Sequence, residues 1–123
     1  MSDVPVRVQG LIDAARQRSG MSRADVDQVE AAIVNSPYLA LMLDRAVAIG
    51  RLDAIAISTK PNQAGSYDHK SRTILLSPET ISNPQLTPLQ QADTLAVTLA
   101  HESSHAIRSV VTLQALDRFA KTT

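Results

Sequence analysis

The segment "TPLQQADTLAVTLAHESSHAIRSVVTLQALDRFAKTT", residues 87 to 123, constrains the fold more than any other part of the chain. Thr87 suits an N-cap and Pro88 the first helical position, and neither Gly nor Pro follows to stop a helix. Its "LAVTLA" stretch is apolar on nearly every side, which predicts a central helix surrounded by protein. Unbroken, this helix would run roughly 48 Å, longer than a domain of this size is wide. A break is therefore expected between Ser109 and Thr112, where β-branched residues cluster.

Three further helices precede it. "PVRVQGLIDAARQRSG" carries an apolar stripe of Leu11, Ile12 and Ala15 and stops at Gly20. "SRADVDQVEAAIVN" starts from Ser22 with Asp25 three residues on, a capping box, and aligns Val26, Val29 and Ile33. "SPYLALMLDRAVAIG" has Ser36 as N-cap, Pro37 at the first position and Gly50 at its end. The period then changes. "DAIAIST" alternates as a strand, "KPNQAGS" is turn chemistry, and "YDHKSRTILLS" is a second strand candidate with a break at Lys70 to Arg72. The two strands are expected to pair as a hairpin, and "PETISNPQL" to form a loop or one short turn.

With 123 residues the chain is expected to be a single domain, residues 1 to 123, with one core. Aromatic residues are limited to Phe119, Tyr38 and Tyr67, so the core must be aliphatic, which favours helices with little sheet. The predicted class is α+β: four or five helices around a central one, with a two- or three-stranded antiparallel sheet beside it. Twelve basic and twelve acidic residues cancel without a Lys/Arg run, so no nucleic-acid partner is expected. The absence of Cys excludes disulfides, thiolate nucleophiles and Cys-based metal sites. No apolar run approaches the roughly 20 residues of a membrane span, and no signal peptide is apparent. Synthesis in the cytoplasm is expected, with export by a non-Sec route open.

Two of the three histidines stand four apart inside the apolar segment, in "HESSH". On a helix His101 and His105 share a face, with Cβ atoms about 5–6 Å apart, so both rings can reach one metal ion. Glu102 lies one step round, beside the pair, where it can touch water held by the ion without itself being a ligand. The ion lowers the pKa of that water towards 7, and the carboxylate takes the proton. With three His and three Glu in the chain, an accidental HExxH is expected about once in a thousand such sequences. A metal site is thus favoured over two hydrogen-bonded core histidines, the more so because an unpartnered buried Glu102 would be costly.

The flanks of the pair resemble the extended signature of the zincin metallopeptidases. Thr98 stands three before the first His, uncharged Leu99, Ser103, Ser104 and Ala106 surround the pair, and Ile107 follows two after the second. The order of elements is also similar to that of a small zincin domain, loosely over residues 54 to 107 and closely over 98 to 107. The resemblance implies Zn2+ as cofactor, His101 and His105 as its ligands and Glu102 as general base. It implies a peptide or protein substrate, with "SYDHKSRTILLS" as the edge strand that pairs with the substrate backbone.

The resemblance does not supply the third ligand that a zincin needs. The metzincin positions are Arg108 and Val111, which excludes that subgroup, and no Glu follows Glu102 as a gluzincin requires. Asp117 could serve if the helix turned sharply near Ser109 to Thr112. His69 could complete a three-histidine site, or hydrogen-bond the transition-state oxyanion, as could Tyr67. Arg108 could bind a substrate carboxylate or form a surface salt bridge. The chain could also be a truncated catalytic domain.

Two functions follow. One is a zinc-dependent metallopeptidase that hydrolyses a peptide bond with a metal-activated water and Glu102 as base, of the kind found in bacterial effectors and toxins or in regulatory proteases. The other is an incomplete, non-catalytic zincin scaffold that acts as a regulatory or partner-binding module. The sequence does not identify any protein partner or inhibitor.

Overall fold

A computed structural model of the chain describes residues 4–18, 20–59 and 63–122, the stretch from 109 onward in its backbone course alone. The first three helices form where their caps and stripes place them. Helix α1 (Val6–Arg18) buries Val8, Leu11, Ile12 and Ala15, and Gly20 beyond it takes a left-handed φ of 78°. In α2 (Arg23–Val34) the Ser22 side chain accepts a hydrogen bond from the Asp25 amide, and Val26, Val29 and Ile33 face the core. In α3 (Pro37–Ala48) Ser36 caps the Leu39 amide, and Gly50 after it has φ 76°. Arg16 clasps α1 to α2 through Glu30 at 2.9 Å and Asp27 at 3.2 Å.

The sheet has three short strands, β1 (Ala54–Ile57), β2 (Gly65–Asp68) and β3 (Thr73–Leu76), in the order β1-β3-β2. The fold is α+β as expected, but the sheet is mixed, not antiparallel. β1 runs parallel to β3, and only β2 and β3 form an antiparallel hairpin. The break expected at Lys70 to Arg72 is a real turn: it splits "YDHKSRTILLS" into two strands. Gly65 and Ser66, assigned to turn chemistry from sequence, begin β2, while residues 60–62 of that stretch lie outside the described residues. Hydrophobicity explains the order. β3 is "TILL", with Ile74 and Leu76 fully buried, and takes the centre. β2 is "GSYD", buries no residue fully and takes an edge. The turn is held by Asp68, whose carboxylate accepts from the Ser71 hydroxyl at 2.7 Å and the Lys70 amide at 3.2 Å; these bonds, the hydroxyl's first, draw its pKa below the usual carboxylate value.

A single turn, α4 (Pro78–Ile81), follows β3 and is tied to the last helix by Gln91. The buried Gln91 side chain accepts from the Asn83 amide and donates to the Thr80 carbonyl. Helix α5 (Pro88–Thr122) opens with a reciprocal cap. The Thr87 hydroxyl accepts from the Gln90 amide at 3.2 Å, and the Gln90 side chain accepts from the Thr87 amide at 3.0 Å.

Two expectations for α5 need correction. It does not break at Ser109 to Thr112 but runs on for 35 residues, about 52 Å. β-branched residues lower helix propensity by only a few tenths of a kcal/mol each, and no Gly or Pro interrupts the segment. Nor is the helix enclosed on all sides. Leu95, Leu99 and Ala106 are fully buried against the core, whereas Val97 is 70% exposed and His101 and His105 lie on the surface. No helix among the described residues is long and apolar enough to cross a membrane.

Candidate metal centre on helix α5

Within α5 the helical period sets which side chains meet. At 3.6 residues per turn, positions 94, 101 and 105 fall within a sector of about 40°, and position 102 lies about 100° round from 101. The structure places both histidines on the exposed side of the helix. Their Nε2 atoms are hydrogen-bonded to each other at 3.0 Å, with ring centroids at 4.6 Å and ring planes at 88°. Two nitrogens at about 2.0–2.1 Å from a tetrahedral zinc stand about 3.3 Å apart. The rings therefore need to open by only a few tenths of an ångström to share an ion, and imidazole is a suitable donor for one.

Glu102 points away from the solvent side and is only 6% exposed. It makes no hydrogen bond or ion pair with the described residues, yet none of their buried side-chain oxygens or nitrogens lacks a partner, so its carboxylate oxygens are not wholly enclosed. The side chain lies against β2. A Cβ built on Gly65 would come within 3.6 Å of Glu102 Cγ and 2.7 Å of Thr98 Cγ2. Gly65 thus lets the strand approach α5 at the level of the motif. Two hydroxyls on the helix are occupied by its own backbone: Thr98 donates to the Thr94 carbonyl at 2.9 Å, and the fully buried Ser103 to that of Leu99 at 2.8 Å.

The third-ligand candidates are not gathered here. Among the described residues no group of three or more His, Cys, Asp or Glu is placed to hold a metal ion, and His69 does not join the pair. His69 is not on a strand; it is exposed in the turn after β2, edge-on to the Tyr67 ring at 5.0 Å. Asp117 lies on α5 itself, twelve residues past His105, so the unbroken helix sets its backbone about 18 Å further along the axis. The Asp117 side chain is outside the described ones. Tyr67 is engaged elsewhere: its hydroxyl donates to the Arg51 carbonyl, and burial raises its pKa above the usual tyrosine value. Arg108 forms no salt bridge with the described residues but folds back onto Ser104, donating from Nε at 3.0 Å and from a terminal nitrogen at 2.7 Å.

Two features escaped the sequence reading. One is Gly65, whose isolated position in a strand signals a close backbone approach. The other is a cavity of about 770 Å³ between the end of β1, α4 and the start of α5, whose walls include Ala64, Glu79 and Thr94. No sequence pattern marks it, because its walls come from four separate stretches of chain. No family model matches this chain, and no curated protein or solved structure matches it either.

Proposed function

We propose that this chain is a zinc-dependent metallopeptidase of the zincin type. The observation that carries the reading is the convergence of the His101 and His105 Nε2 atoms, 3.0 Å apart on the exposed side of α5, with Glu102 set beside them against β2. His101 and His105 would hold the ion. When bound, zinc supplies a Lewis acid that polarises a carbonyl and acidifies water. The chain's own contribution is then positional. Glu102 would accept a proton from the attacking water and pass it to the leaving amine. β2 has an unpaired outer edge among the described residues, along which an extended substrate backbone can add as a further strand.

Cleavage of a mixed peptide substrate by the zinc-loaded chain tests this. Activity should disappear with a chelator and return with zinc. Glu102→Gln should lower it by about 10²–10⁴-fold while leaving zinc bound. The second reading, a zincin scaffold that binds a partner without catalysis, is favoured by one observation: no third donor joins the pair among the described residues. It requires that no peptide be cleaved at any zinc concentration.

A further inference from the structure

We infer that the cavity beside α4 is a substrate pocket of the same site and selects a basic side chain about three residues from the scissile bond. This rests on the peptidase reading above. Three observations carry it. First, cavity and histidines share one face of one helix: Thr94, an exposed wall residue, falls in the same angular sector as His101 and His105. Thr94 precedes His101 by seven residues, about 10 Å along the axis, and an extended peptide covers that span in about three residues.

Second, the cavity abuts the strand at the motif. Ala64 lines it, and the next residue is Gly65, whose backbone packs on Thr98 and Glu102. A chain laid along β2 with its reacting carbonyl near the histidines would carry a side chain into this space. The volume, about 770 Å³, accommodates a long one. Third, the lining is chemically biased. Among its described residues Glu79 is the one charged side chain, and Gln63, Asn83 and Thr94 add neutral hydrogen-bonding groups. Lys or Arg gains an ion pair there, Asp or Glu meets like charge, and an aliphatic side chain leaves the polar walls unmatched.

The test is a binding measurement on the full zinc-loaded chain carrying Glu102→Gln, so that peptides are not consumed. Fluorescently labelled decapeptides, with one Arg, Ala or Glu moved through the sequence, are titrated by anisotropy. The expected result is a register in which Arg binds about two- to fivefold more tightly than Ala, and Glu more weakly than either, the contrast fading with salt. Glu79→Gln should erase the contrast and Glu79→Lys invert it. Thr94→Trp, which fills the cavity from the helix side, should remove it without touching Glu79. Equal binding of all three peptide series, absence of binding, or a contrast that survives Glu79→Gln would overturn the assignment. Cleavage by the wild type is scored separately. A preference without cleavage leaves the pocket and removes the peptidase, and cleavage without a preference does the reverse.

Discussion

Gly65 and Thr98 stand so close that a methyl group added to Gly65 would lie 2.7 Å from Thr98 Cγ2, nearer than side-chain carbons approach in folded proteins. The strand can sit on the motif helix only because it has no side chain at this point. Gly65→Ala should therefore destabilise the fold by about 1–3 kcal/mol, the usual cost of overpacking. Thr98→Ser, which removes the clashing methyl, should recover a large part of that loss. Urea unfolding of the two single variants and the double variant measures the coupling. Strictly additive effects would mean that the contact is not the cause.

Tyr67 is expected to be structural. Tyr67→Phe removes the hydrogen bond to the Arg51 carbonyl and should cost about 0.5–1.5 kcal/mol. Because burial raises its folded pKa, the neutral phenol is the form the native state prefers. Its contribution is complete below the unfolded tyrosine value of about 10 and is lost as the pH rises through the raised folded value. Stability profiles of the wild type and Tyr67→Phe should therefore converge in strong alkali. Under the proposed peptidase reading the variant should keep the wild-type cleavage rate, and a fall of tenfold or more in kcat would restore Tyr67 as an oxyanion donor.

Gln91 holds α4 on α5 with one side chain serving two backbone groups, the Asn83 amide and the Thr80 carbonyl. Gln91→Leu preserves bulk but leaves both without that partner. A loss of about 2–4 kcal/mol is expected. Hydrogen exchange should locate it, with the Asn83 amide exchanging much faster in the variant. Unchanged protection at Asn83 would show that another group satisfies it.

How far the sequence revealed this structure depended on the range of the interaction concerned. Ser22, Ser36 and Thr87 each cap the helix they were expected to start, because a cap is decided within four residues. His101, Glu102 and His105 took their relative places for the same reason. Strand order was not legible. Pairing β1 in parallel with β3 depends on how Ile55, Ile74 and Leu76 share a core built from distant helices. The continuation of α5 past Ser109 follows from the absence of Gly and Pro, which outweighs the small propensity cost of its β-branched residues. The exposure of Val97 follows from which elements pack on α5, and no local pattern encodes that. The third-ligand candidates show the same limit, since His69 could be placed only once the turn after β2 was known.

The most direct test of the central claim is the zinc content and affinity of the purified full chain after dialysis against buffered zinc, with His101→Ala and His105→Ala beside it. One zinc bound per chain is expected, and none in either variant, since each removes one of two converging nitrogens. A wild-type chain that takes up no zinc, or holds it equally well without His101, would contradict it.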